Sequence, residues 1–172
     1  MSTVDPITDA ATPWLDEHEQ RAWRHFIRGT RRLLDQLDTD LRAHGLSHDD
    51  YAALVWLSEA DGGRLRMSEL AEQEVVSRSR LSRHIGRLEQ RGLVRREPCP
   101  TDRRGSFAVL TTEGRALLDQ TAPHHVAGVR ASFIDHIEPE ELMVVERIFG
   151  RIEAALGPVC AEAIAAEDER ST

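Results

Sequence analysis

Lysine is absent: all 22 basic residues among the 172 are arginine, and 30 acidic residues leave a formal charge of −8. Arginine suits bidentate contacts to phosphate and guanine better than lysine does. Cysteine is nearly absent too. Cys99 and Cys160 are far apart and match no metal-ligand spacing, which excludes a disulfide framework and gives no zinc site. Apolar runs are only a few residues long, so no segment is expected to span a membrane. The opening MSTVDPITDAATPW has neither a basic n-region nor an apolar h-region. No secretory signal is therefore expected, and a cytoplasmic location follows. There is no glycine-rich phosphate loop, nucleophile motif or pair of catalytic carboxylates, so neither an enzyme nor a cofactor is expected. With 40% hydrophobic and 30% charged residues, the chain is expected to be soluble and globular, with a substantial core.

What is present is a concentration of positive charge. From Val76 to Arg104 there are nine arginines and three acids, a balance of +6, which leaves −14 for the rest of the chain. A basic island on an acidic protein points to a polyanionic partner. Five of those arginines fall in VSRSRLSRHIGRLEQRG, Val76 to Gly92.

Periodicity gives the surrounding elements. Residues 1–13 are polar and expected to be loose. Asp16 and Glu19 have capping-box spacing ahead of a long amphipathic helix through Trp23, Phe26, Ile27, Leu33, Leu34, Leu37 and Leu41, ending near His44-Gly45. A helix of that length needs a partner for its apolar stripe, and a second copy of the chain is the simplest one. Ser47 caps the next helix, to about Ala60; Ser68 is predicted to cap a short one through Gln73; Ser77 caps the arginine-rich one, and Gly92 closes it. LVRREP (Leu93 to Pro98) and SFAVLT (Ser106 to Thr111) then read as a hairpin with CPTDRRG (Cys99 to Gly105) as its turn. Thr111 or Thr112 caps a further helix that Pro123 should kink or break. Pro139 opens a last amphipathic helix, interrupted at Gly157-Pro158, with a further short piece to about Ala166 and a frayed tail over 167–172.

On a helical wheel at roughly 100° per residue, Leu81, Ile85 and Leu88 cluster within about 60° and form a core face. Ser79, Arg80, Arg83, Gly86, Arg87 and Gln90 lie opposite. Arg83 with Arg87, and Arg87 with Arg91, are like charges at i,i+4, which is unfavourable for a bare helix. DNA phosphate would neutralise such a face, and small Ser79, Ser82 and Gly86 would let it approach the major groove, which admits one helix. SELAEQ, a short turn and this helix read as helix-turn-helix. The following hairpin, with Asp102, Arg103 and Arg104 at its tip and Arg95 and Arg96 on its first strand, makes it a winged helix. Arginines at that tip suit a narrow minor groove. Asp102 can fix the aim of an arginine by accepting a hydrogen bond.

The run MSELAEQ through SRSRLSRHIGRLEQRGLVRREPCPTDRRGSFAVLTTEGRALL resembles the winged helix of the MarR (multiple antibiotic resistance regulator) family. The order RLEQRGLVRR, DRRG, VLTTEGRALL carries the likeness most specifically. The resemblance implies a mainly α fold with one small β-hairpin wing. It assigns 46–111 to a DNA-binding winged helix-turn-helix and 14–45 with 112–166 to helices forming a dimerisation region. It implies a homodimeric regulator, more often a repressor, on a near-palindromic operator of double-stranded DNA. Recognition helix 77–91 would enter the major groove and wing 95–107 the minor groove. Ser77, Arg78, Ser79, Arg80, Ser82, Arg83 and Arg87 match recognition-helix positions, and Asp102 and Arg104 match the wing's Asp-x-Arg pair. Two departures stand out: Val75 where many members have the turn glycine, and Arg80 where a small hydroxyl residue is common.

Some members of that family release DNA on binding small aromatic acids between the dimer helices and the winged helix; Trp23, His25, His48, Trp56 and His124 are the residues here that such a crevice would use. Two alternatives remain at this level. The arginine helix would also dock an acidic protein partner. Cys99, among Arg95, Arg96, Arg103 and Arg104, would suit a redox-responsive regulator if that field activates its thiol.

Overall fold

A computed structural model describes residues 12–99 and 102–157, and of residues 102–104 the backbone alone. Six helices and three strands follow in the order α1 (Glu17–Arg42), α2 (His48–Glu59), β1 (Arg64–Arg66), α3 (Met67–Gln73), α4 (Arg78–Gln90), β2 (Val94–Cys99), β3 (Asp102–Leu110), α5 (Thr112–Ser132) and α6 (Pro139–Leu156). The expectations on 1–11 and on a helical piece after Pro158 lie outside the described residues.

Local chemistry sets most boundaries. Asp16 and Glu19 close a capping box on α1, and Ser47 and Asp50 close one on α2. Thr111 caps α5 by accepting from the Gly114 amide. Glu138 and Glu141 close a box on α6, with Pro139 in its first turn. Three helices end in the same way. A residue with positive φ follows the helix, and the next amide donates back five residues: Leu46 to Leu41, Val76 to Ala71, and Leu93 to Leu88. The positive-φ residue is Gly45 after α1 and Gly92 after α4, but Val75, at φ 55°, after α3.

Four expectations are corrected. Ser68 does not cap α3. The N-cap is Arg66, two residues earlier, and the helix starts at Met67, because the Glu69 carboxylate accepts from the Arg66 amide and fixes the entry there. Pro123 does not break α5, which runs unbroken from Thr112 to Ser132. A proline forfeits only one helical hydrogen bond, and the packing of α5 on α1 and α2 supports the remaining turns. The hairpin's returning strand begins at Asp102 rather than Ser106, with a register shift at Pro98/Cys99. Residues 102–105 therefore belong to β3 and not to a loose turn. Finally, the hairpin is part of a three-stranded antiparallel sheet, order β1-β3-β2. Arg64 and Arg66 of β1 both stack their guanidinium groups on Phe107, at 5.1 and 5.5 Å.

The core lies inside the winged helix. Leu54 and Leu57 of α2, Leu70 of α3, Leu81, Ile85 and Leu88 of α4, and Ala108 of β3 are fully buried, joined by Leu41 from the end of α1 and Leu118 from α5. Gly114 fits where no side chain would: a Cβ there would lie 2.1 Å from the Leu93 carbonyl oxygen. The other end of the molecule differs. No residue of α6 is buried. Trp23, Phe26 and Leu34 on α1 and Ile148, Phe149 and Ile152 on α6 are exposed. Rings from the two helices meet there, Phe26 to Phe149, at 5.7 Å.

Candidate nucleic-acid interface

The α4 wheel holds in three dimensions. Leu81, Ile85 and Leu88 are fully buried, while Arg78, Ser79, Arg80, Arg83 and Arg87 are exposed. Ser77 is buried as the N-cap, accepting from the Arg80 amide at 3.2 Å, and its hydroxyl lies 3.1 Å from that of Ser79.

What holds this helix in place was not legible beforehand. His84 projects from α4 into a buried ionic cluster. Its Nε2 is 2.9 Å from Asp50 at the start of α2, and its Nδ1 is 3.4 Å from Glu74 in the α3–α4 turn. A carboxylate at each ring nitrogen requires both nitrogens to donate, so the ring is an imidazolium. Burial works against that charge, but the hydrogen bonds the ring donates to Asp50 and Glu74 outweigh it and raise the His84 pKa to about 9. Asp50 is likewise opposed by burial, yet its bonds to His84 and Ser47 hold it down at about 2. Arg91 completes the cluster, reaching Asp50 at 3.1 Å and the Gly45 carbonyl at 2.7 Å. Two carboxylates thus face two cations, which is the condition for burying charge without a large penalty.

Several arginines of the basic run are held by acids. Arg91 is held by Asp50 and Arg80 by Asp49, both from α2. Arg95 pairs with Glu97 along β2. Arg96 reaches across to α4: its Nη2 donates to the Ser82 carbonyl at 2.6 Å, its amide donates to Glu89 at 3.1 Å, and its guanidinium lies 3.7 Å from where a Gly86 Cβ would be. Gly86 and Ser82 thus serve the junction of wing and helix. The backbone of Asp102, Arg103 and Arg104 lies in β3, Asp102 paired with Cys99; their side chains, with the hydrogen bond expected of Asp102, lie outside the described residues.

The residues singled out for an effector do not all converge, although His48 lies near His125, ring centroids 6.4 Å apart. His124 stacks on His44, centroids 4.5 Å apart, and both line a cavity of about 280 Å³ with Asp40, Leu41, His125 and Gly128. His25 lines a separate groove, Trp23 is exposed, and Trp56 packs on the core. His44 and His125 were the unnoticed members, brought together only by the packing of α5 on α1. Cys99 is buried, which denies it the solvent access that redox sensing needs. Among the described residues no group of histidine, cysteine and carboxylates has metal-binding geometry, and no helix is long and apolar enough to cross a membrane.

The MarR family model matches residues 44–105, which run from the α1–α2 connection into β3. AbsC, a MarR family transcriptional regulator from Streptomyces coelicolor, superposes with a TM-score of 0.77 at 46% identity, over 94% of this chain and 100% of that one. The chain belongs to the MarR family. A second Streptomyces coelicolor member, solved in complex with DNA, superposes with a TM-score of 0.82 at 44% identity, over 84% of this chain and 95% of that one. The transcriptional regulator MhqR of Bacillus subtilis is 26% identical over 125 residues, 73% of this chain and 84% of its own length. As a MarR-family winged helix, the chain is a DNA-binding transcriptional regulator. Its mainly helical architecture with a small antiparallel sheet is the family's own.

Proposed function

We propose that the protein is a homodimeric, cytoplasmic repressor that reads a near-palindromic operator in double-stranded DNA. Recognition helix α4 enters the major groove through Arg78, Ser79, Arg80, Arg83 and Arg87, with Ser77 capping it and Ser82 holding Arg96, and the wing reaches the minor groove through Asp102, Arg103 and Arg104, with Arg95 beside phosphate and Arg96 fastening wing to helix. One observation carries this reading: α4 exposes an arginine face while its opposite face is clamped to α2 and α3 by leucines and by the His84 cluster. A rigidly held cationic helix suits a groove better than an adaptable acidic peptide. Residues 46–111 form the reading unit, and 14–45 with 112–166 the dimerisation region.

Dimerisation is supported by α6, none of whose residues is buried within its own chain, and by the exposed Phe149 and Ile152 on it and Trp23 and Phe26 on α1. In a two-fold dimer the recognition helices lie about 34 Å apart and read half-sites about 10 bp apart. Release by a small aromatic ligand is supported by the His44–His124–His125 cavity, which lies where α1 and α5 join the winged helix.

Selection from a random duplex library with the purified protein tests the reading. Enrichment of one inverted repeat, bound about a thousandfold or more tighter than random duplex, is expected. Failure to enrich any sequence refutes it.

A further inference from the structure

The pair between Arg80 and Asp49 spans α4 and the first turn of α2, 3.3 Å from guanidinium Nη2 to carboxylate Oδ2. Both side chains are more than half exposed, at 62% and 56%. They line one open groove with Arg83 and Arg87, and Glu74 and His84 of the ionic cluster border the same groove. We propose that Asp49 is a specificity-determining positioning residue: it aims Arg80 at a base edge and withholds it from phosphate. The inference rests on α4 being the reading helix.

Three features carry it. An arginine has five N–H donors, and Asp49 occupies one terminal nitrogen, so the free edge of the fork still offers a bidentate pair to a guanine. A long side chain tethered at one nitrogen loses fewer rotamers when it reads a base. A carboxylate beside the groove also repels phosphate, so a misregistered duplex meets an opposing charge where an untethered arginine would attract it. Helix α2 does not need Asp49 for its start, because Ser47 and Asp50 close its capping box.

The test compares the wild type with Asp49→Asn, Asp49→Glu, Arg80→Ala and the double change Asp49→Asn with Arg80→Ala, all checked for unchanged helicity. Each is titrated against the duplex enriched by the wild type and against random duplex of equal length over a salt series. For Asp49→Asn, binding to the enriched duplex weakens about five- to tenfold, the size of one badly aimed bidentate contact. Random-duplex binding tightens, with a salt slope steeper by about one. Repeated selection relaxes preference at one base pair per half-site. Asp49→Glu restores most of the discrimination, and in the Arg80→Ala background the Asp49 change has no effect. The proposal is overturned if Asp49→Asn leaves the ratio of specific to random affinity unchanged, or lowers it equally without Arg80. A library that enriches nothing with the wild type refutes the operator reading itself, whereas an enriched sequence read identically by Asp49→Asn refutes only the role of Asp49.

Discussion

The imidazolium of His84 makes stability fall as pH rises, and the size of the fall can be worked out. Its pKa is raised from 6.5 to about 9 on folding, because burial is outweighed by hydrogen bonds to Asp50 and Glu74. A group whose pKa is higher in the folded chain contributes its full stabilisation below the unfolded value. It loses that stabilisation as pH rises through the folded value, so the window here runs from pH 6.5 to 9. At about 1.4 kcal/mol per tenfold change in proton affinity, the whole fall amounts to about 3 kcal/mol. The Asp50 shift has the opposite sign: its stabilisation is complete above 3.8 and is lost as pH falls toward about 2. Both shifts describe one bond, so they are not added, and the plateau lies between the two windows. Urea unfolding at fixed protein concentration, followed by tryptophan fluorescence across pH 6.5 to 9, measures the slope. His84→Gln should be less stable at neutral pH by about 3–5 kcal/mol, since the buried Glu74 then loses its imidazolium partner and Asp50 keeps Arg91, and its stability should be flat across the window. A wild type as flat as the variant would mean that the ring is neutral and the cluster misread.

Arg104→Ala should weaken operator binding by about 1–3 kcal/mol in an anisotropy titration, without altering helicity. Phe149→Glu places a charge beside Phe26 on the apolar face of α1 and α6, and light scattering should report a mass of one chain rather than two. Val75→Gly relieves a left-handed valine at φ 55°, which costs about 1–2 kcal/mol. Glycine's extra unfolded freedom offsets about 0.5–1 kcal/mol of that, so the urea midpoint should rise modestly. Gly114→Ala drives a methyl to 2.1 Å from the Leu93 carbonyl oxygen and 2.9 Å from Leu110, and thermal unfolding should show a loss of about 3 kcal/mol or more.

The helices and the two faces of α4 could be read from the sequence because period and capping are local. Asp16, Ser47, Ser77 and Thr111 all cap as their spacing predicts. What depended on distant partners was not legible. His84 sits beside Leu88 on the wheel, but its acids are 34 and 10 positions away, and no periodicity announces them. Strand β1 is three residues long, too short to alternate visibly, and it forms by pairing with the distant Phe107–Val109 of β3, where Phe107 also offers a ring to Arg64 and Arg66. The wing's loop was placed too generously because proline and glycine at 98, 100 and 105 read as breakers, whereas pairing with β2 carries β3 back to Asp102. The cavity of His44, His124 and His125 joins residues eighty positions apart by the packing of α5 on α1.

The departures from local rules gather on one segment. Every α-helix among the described residues except α4 has an acid in its first turn, where the dipole favours one. The first turn of α4 carries Arg78 and Arg80 instead, so its positive end is reinforced rather than neutralised. Just before it, Val75 holds a conformation that glycine holds after α1 and α4. Just after it, Arg83 and Arg87 stand one turn apart with the same sign. Each feature costs the isolated protein a few tenths to about 2 kcal/mol, and the buried leucines and the His84 cluster offset the sum. Strain of this kind persists where function requires it and the surroundings over-determine the fold. The same acids that clamp α4 come from the start of α2, so the chain's net negative charge and its arginine helix are not in conflict. Asp50 meets the buried His84 and also Arg91, while Asp49 meets Arg80 at the exposed edge of the helix. The charge left facing outward is then set by the geometry of α4 rather than by the composition of the whole chain.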